Sequence, residues 1–240
     1  MTTQVVQPIV IDLPDDADPA ALQAVEFAKS LPGLEVRFAG PLTCARLVRA
    51  TELKDDREVP IAVLALGPLT DVARMLNSCA ASSDLIAKIV ISGGALLAGN
   101  ETPAAERRVH ADPKAAEAVL DSGIPVYLSP LDNGKLNPGD SLAQIEGQHD
   151  LVSVLYLAKP QLFDEAHVWL AVETDGEITQ GMTVSNLHAD AQRKPNAWIV
   201  QPKDYAEIRR RLGFFENRND PTPTPPRRLE TAAVAKPRAK

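Results

Sequence analysis

The chain has 240 residues, 45% of them hydrophobic and 24% charged, with a formal net charge of -7. That length suits one α/β domain or two small ones with a real core. The acidic balance excludes the general basic surface of a nucleic-acid binder, and no apolar run approaches the roughly 20 residues that cross a bilayer. The two cysteines, Cys44 and Cys79, form no motif, so no disulfide framework is expected and a reducing compartment is the default. The first eight residues lack the basic and apolar regions of a signal peptide, and the expected location is the cytoplasm.

In chain order, residues 5–11 predict a buried strand that ends at an acidic turn. Residues 19–31 predict a helix with Ala20, Ala21, Ala24, Val25 and Phe27 on its apolar face. A short strand over 34–38 and a helix over 43–53 follow. Residues 61–66 form another apolar strand, which Gly67-Pro68-Leu69-Thr70 turns into a helix reaching about Asn77. The next strand lies within 85–91. A helix over 113–121 is closed by Ser122-Gly123, and a strand over 126–129 comes next. Residues 151–159 predict a helix stopped by Pro160. Residues 167–173 and 182–185 predict two strands paired around Thr174-Asp175-Gly176-Glu177, and 204–212 the last helix.

Strand, turn and helix alternate repeatedly. The expected fold is α/β: a mostly parallel open sheet with helices on both faces, over residues 1–218. From 219 to 240 the composition changes to alternating prolines followed by Arg227, Arg228, Lys236, Arg238 and Lys240. That tail is expected to be disordered, because it has little apolar surface to bury.

Four segments carry candidate chemistry. Residues 93–113 form a glycine-rich loop with Asn100 and Glu106 behind the β-branched run Ile89-Val90-Ile91, at the strand end where open α/β sheets bind ligands. The others are Ala65-Leu66-Gly67-Pro68-Leu69-Thr70-Asp71-Val72-Ala73, the dipeptide His149-Asp150, and the acidic cluster Asp12-Leu13-Pro14-Asp15-Asp16-Ala17-Asp18-Pro19. Together they resemble the inosine–uridine nucleoside hydrolase family over most of residues 8–213, with two internal shortenings, before Gly67 and between Asp132 and His149.

The resemblance implies hydrolysis of the N-glycosidic bond of ribonucleosides to ribose and free base. It implies a role in nucleoside catabolism and salvage, a bound calcium ion and a possible homo-oligomer. By its motifs, Asn100 and Glu106 grip ribose, as an amide and a carboxylate can. Asp150 and the Thr70 carbonyl bind calcium, and His149 faces the leaving base. Where the family has a second amide for ribose, this chain has Arg108. That cation either blocks the pocket or meets an anionic group.

The family's acidic signature, Asp-x-Asp-x-x-x-Asp-Asp, is broken. Strand matching aligns Asp12 with the first aspartate and Asp18 with the third, leaving Pro14 and Pro19 at two metal-ligand positions. A shift of two residues puts Asp12 second, Asp16 third and Ala17 fourth. Asp12, Asp16 and Asp18 are therefore the catalytic candidates beside His149, and Asp12 joins Thr70 and Asp150 as a candidate metal ligand. Calcium binding is expected to be weak or lost, because each missing carboxylate removes a charge and one or two oxygens. The alternative expectation is a catalytically impaired member that binds a nucleoside-like ligand or a protein.

Overall fold

A computed structural model describes residues 6–52, 60–186 and 193–213. The predicted tail lies outside the described residues, as do Val5 and Leu53 at the margins of two predicted elements.

The elements are β1 (Gln7–Asp12), α1 (Pro19–Ser30), β2 (Leu34–Ala39), α2 (Cys44–Thr51), β3 (Ile61–Ala65), α3 (Thr70–Ser78), the short α4 (Ser82–Leu85) and β4 (Ile86–Ser92). Then come α5 (Arg107–Ala111), α6 (Pro113–Leu120), β5 (Val126–Ser129), α7 (Leu142–Ala158), β6 (Phe163–Val168), β7 (Leu170–Val172), β8 (Thr183–Ser185), β9 (Ala197–Pro202) and α8 (Tyr205–Leu212). Seven strands form one sheet in the order β2-β1-β3-β4-β5-β9-β6, parallel except for the edge strand β6. β7 and β8 make a separate antiparallel pair.

The central strands β1 and β3 bury both faces, which is why they read as continuous apolar runs. Val10, Val63, Ile89, Val126 and Ile199 pack with Val72, Met75 and Val119 of α3 and α6. Ile9, Ile11, Leu64, Val90 and Val200 pack with Ala24, Val152, Leu155 and Ile208 of α1, α7 and α8. Alternate residues of each strand thus serve two separate cores, as the pleat requires.

The helix starts are written locally. Asp18 caps α1 by accepting from the Ala21 N–H at 2.8 Å, with Pro19 at the first helical position. Asp112 caps α6 in the same way. Asp204 caps α8, and Gly213, with φ of 76°, ends it.

Four readings change. The predicted helix over 151–159 is α7, which begins nine residues earlier at Leu142; Ser141 and Gln144 form a capping box there. His149 and Asp150 therefore sit inside the helix and do not open it. The predicted strand over 167–173 is divided: its first residues belong to β6, which pairs with an unanticipated strand, β9, and only Leu170–Val172 pairs with β8. The short helix α5 was also not expected. Finally, Cys44 and Cys79 are joined as a disulfide, their Cα atoms 5.3 Å apart. The sequence shows two distant cysteines, whereas the packing of α2 beside α3 brings them together. The case for a reducing compartment, which rested on unpaired cysteines, falls with that pairing.

Candidate functional site

The register of the parallel strands places several loops at one edge. Asp12 pairs with Ala65, Ala65 with Ile91, and Ser92 with Ser129, so β1, β3, β4 and β5 end side by side. The chain moves outward from β1 to β2 and then returns past β1 to β3, which makes the β1–β3 junction the switch point of the sheet. Crevices for ligands open there. A cleft of about 570 Å³ lies at this edge. One part of its lining is Asn100, Glu106, Arg107, Arg108, Glu146 and His149. The other comes from the turns after β1 and β3: Pro14, Asp16, Asp18, Pro19, Leu66, Gly67 and Pro68.

Glu106 is buried. Its Oε2 accepts from the Gly94 N–H at 3.0 Å and, as the cap of α5, from the Val109 N–H at 3.2 Å. Gly94 has φ of 71°, and a Cβ there would meet the Thr183 methyl at 2.9 Å, so glycine is needed for this loop to close over the β7–β8 pair. The Asn100 amide donates to Glu146 Oε1 at 2.7 Å and its carbonyl accepts from the Arg107 N–H at 2.8 Å. Arg107 Nη2 also donates to Glu146 Oε1, at 2.7 Å.

Arg108 sets the electrostatics. Its Nη1 donates to Asp150 Oδ1 at 2.6 Å and to the Ser92 carbonyl at 2.8 Å, and its Nη2 donates to Asp150 Oδ2 at 2.8 Å. The Asp150 side chain is fully buried, and the Arg108 side chain is 13% exposed. Asp150 Oδ1 also accepts from Ser92 Oγ at 2.7 Å. Burial alone would raise the Asp150 pKa, but the Arg108 charge and its hydrogen bonds hold the carboxyl below the usual range, helped by His149 and Ser92. Burial works against the charged Arg108, yet Asp150, then Glu106 and Asp18, hold its pKa above the ordinary value.

His149 is buried, and burial pushes its pKa down, so the ring is neutral near pH 7. Its Nε2 lies 2.8 Å from the Ser129 carbonyl. A carbonyl only accepts, so this nitrogen carries the hydrogen.

The remaining candidates are spread more widely. Asp12 is buried, and its Oδ1 accepts from the Leu42 N–H at 2.8 Å. Burial raises its pKa to about 7; the Leu42 N–H lowers it and Asp71 raises it. This carboxyl ties β1 to the loop after β2 and is absent from the cleft lining. Asp16 and Asp18 line the cleft, with Asp18 Oδ1 engaged as the α1 cap. Thr70 opens α3 and its hydroxyl donates to Asp112 Oδ2 at 2.5 Å, so the turn contributes Leu66, Gly67 and Pro68 to the cleft in its place. Asp150 lies behind Arg108. Sequence reasoning missed Glu146 and Ser92. The β-branched run before Ser92 marks a strand end, but nothing local shows that Glu146 reaches Asn100.

The donor set does not fit the calcium ion that the resemblance implies, which would take six to eight oxygens. Asp150 is occupied by Arg108, Asp12 by the Leu42 N–H, and Pro14 and Pro19 offer no side-chain oxygen. Among the described residues, no group of three or more His, Cys, Asp or Glu side chains is arranged to hold a metal.

Residues 11–210 match the family described as inosine-uridine preferring nucleoside hydrolase. The chain belongs to that family. Among its relatives are a pyrimidine-specific ribonucleoside hydrolase RihA of Escherichia coli O1:K1, 32% identical over 218 residues, and the protein of the same name from Citrobacter koseri, 34% identical over 219. Each match covers 77% of this chain and 68% of the relative. The nucleoside hydrolase fold is shared with solved structures. An inosine-guanosine nucleoside hydrolase superposes with a TM-score of 0.70 at 18% identity, covering 86% of this chain and 97% of the other. A purine-preferring ribonucleoside hydrolase from Gardnerella vaginalis gives 0.64 at 16%, covering 84% and 95%.

Proposed function

We propose that this nucleoside hydrolase family member binds a ribonucleoside in the cleft and cleaves its N-glycosidic bond slowly, releasing ribose and free base. The observation that supports this best is the joint lining of one cleft by Asn100, Glu106, His149, Asp16 and Asp18 at the switch point of the sheet. Its volume, about 570 Å³, lies in the range of small-molecule pockets. RihA relatives act, by their names, on pyrimidine ribonucleosides. We infer nucleoside catabolism and salvage as the setting. Among the described residues no helix is long and apolar enough to cross a membrane.

Glycosidic cleavage passes through a sugar cation and needs a group to take the proton of water and another to assist the leaving base. Of the carboxylates in the lining, Asp16 and Asp18 are the candidate bases, Asp18 with one oxygen committed to its helix. Asn100 and Glu106 line the same cleft and are the candidates to orient the sugar. His149 offers a neutral ring whose N–H is already given to the Ser129 carbonyl, so toward a ligand it accepts and does not donate. Protonation of the leaving base is thus poorly served, which is the reason for slow turnover.

A second reading, binding without hydrolysis, is favoured by that same His149 bond and by the engagement of Asp18 as a helix cap. The test is calorimetric binding of uridine and inosine together with release of free base, with calcium and with chelator. Expected are measurable binding and turnover below the enzyme range of roughly 1–10³ s⁻¹, abolished by Asp18→Asn. Binding with no base released selects the second reading, and no binding of either nucleoside rejects both.

A further inference from the structure

The family resemblance puts a divalent cation against Asp150, and the structure puts a guanidinium there. We propose that Arg108 is the resident cation of this cleft, built into the chain, and that the site does without a metal ion.

The geometry is that of a paired fork. Both Asp150 oxygens receive Arg108 nitrogens, at 2.6 and 2.8 Å, and the same Nη1 also donates to the Ser92 carbonyl at 2.8 Å. Bidentate pairing of this kind fixes orientation as well as charge. Ser92 Oγ completes the shell of Asp150 Oδ1 at 2.7 Å and itself accepts from Ser153 Oγ at 2.9 Å. No Asp150 oxygen is left facing the cleft, since the side chain is fully buried.

Carboxylates from three separate segments act on this one guanidinium. Asp150 comes from α7, Glu106 from the loop after β4, and Asp18 from the start of α1; all three stabilise its charge. Gathering carboxylates from different loops is ordinarily the work of a bound cation. Here a side chain stands in that place: its N–H donors pair with Asp150, and Glu106 and Asp18 favour its charge without direct hydrogen bonds. A divalent ion at the same spot would stand against a fixed guanidinium and would have to displace three hydrogen bonds.

The opposite edge of the cleft has changed in a consistent way. Pro14 packs against Gly67 so closely that a Cβ on Gly67 would lie 2.6 Å from Pro14 Cδ. In the register that aligns Asp12 with the first family aspartate, an apolar ring stands where the resemblance calls for a coordinating carboxylate.

The inference takes from the proposed function only the place of the cleft, and its test needs neither nucleoside nor turnover. Calcium titration by calorimetry and thermal unfolding of the full chain are compared for wild type and Arg108→Ala. Wild type should take up no calcium, and its Tm should move by no more than about 1 °C between millimolar calcium and chelator, as linkage requires of a non-binder. Arg108→Ala should lose on the order of 10 °C, because Asp150 is left buried and unpaired. Millimolar calcium, or millimolar guanidinium, should restore part of that loss in the variant alone. Saturable calcium uptake by wild type overturns the proposal, as does an Arg108→Ala protein that is as stable as wild type or indifferent to both cations. If Arg108→Ala does not fold, Arg108→Lys keeps the charge without the fork. It should be less stable than wild type and still take up no calcium, and calcium uptake by it also overturns the proposal.

Discussion

The part of the cleft built by the loop after β4 and by α7 differs from the part built by the turns after β1 and β3. In the first, polar groups are buried and joined. Arg108, Asp150, Ser92 and Ser153 form one connected set, and Asn100, Arg107 and Glu146 form another. In the second, Pro14, Pro19 and Pro68 border the cleft, Pro14 rests on Gly67, and two of the carboxylates bond backbone, Asp12 to Leu42 and Asp18 to Ala21, while Asp16 lines the cleft. A charge taken out of water must be paired at close range or it destabilises the fold. The first region meets that need with a second charge, the second by reducing the number of charges.

The comparison breaks most visibly at Asp150. Asp150→Ala leaves Arg108 with no direct counter-charge inside the protein. It should cost about 3–5 kcal/mol, the usual penalty for breaking a buried pair from one side, read by denaturant unfolding. A loss below about 1 kcal/mol, typical of exposed pairs, would show that the Arg108–Asp150 pair is solvated and does not organise the cleft.

At Asp12 the difference appears as a pH dependence. Its folded pKa, about 7, lies above the ordinary 3.8 because burial disfavours the anion. Between those two values the folded chain holds a proton that the unfolded chain has released, so stability falls as pH rises through that window. The penalty is absent below the lower value, complete above the upper, and roughly 4 kcal/mol at most, since each pKa unit is about 1.36 kcal/mol. Asp12→Asn keeps an acceptor for the Leu42 N–H and cannot ionise. It should be more stable than wild type at pH 8 and nearly equal at pH 4, by unfolding measured at both. Equal stability at pH 8 would place Asp12 in contact with solvent.

The smallest effect concerns the Pro14–Gly67 contact. Gly67→Ala should destabilise by about 1–3 kcal/mol, the range for overpacking, because the new methyl meets the Pro14 ring. Pro14→Ala in the same chain should return most of that loss. If the double variant is no better than the single one, the glycine is needed for its backbone and not for the ring.

The sequence alone carried β1 to β5, five of the seven strands of the sheet, and most of its helices. Runs such as Ile61 to Ala65 and Ile89 to Ile91 are buried on both faces, so their apolar composition marks them without help from the rest of the chain. The caps Asp18, Asp112 and Asp204 act within three residues and are legible for the same reason. The motif around Asn100 and Glu106 was also readable, because spacing within one loop survives folding. The start of α7 was not read, since Glu146-Gly147-Gln148 interrupts the apolar pattern and only the Ser141–Gln144 box announces the helix. β9 and its antiparallel partner β6 were misjudged because edge pairing is decided between segments about thirty residues apart.

The joining of charges was decided by tertiary structure alone. Arg108 and Asp150 are 42 residues apart, Asn100 and Glu146 are 46 apart, and Cys44 and Cys79 are 35 apart. Sequence shows an arginine where an amide is expected and leaves open whether it blocks a pocket or meets an anion. The fold answers, because α7 runs beneath the end of β4 and sets Asp150 within reach of a side chain that leaves the first turn of α5. Local composition determines which backbone forms; which charge meets which depends on distances that exist only once the strands have taken their order in the sheet.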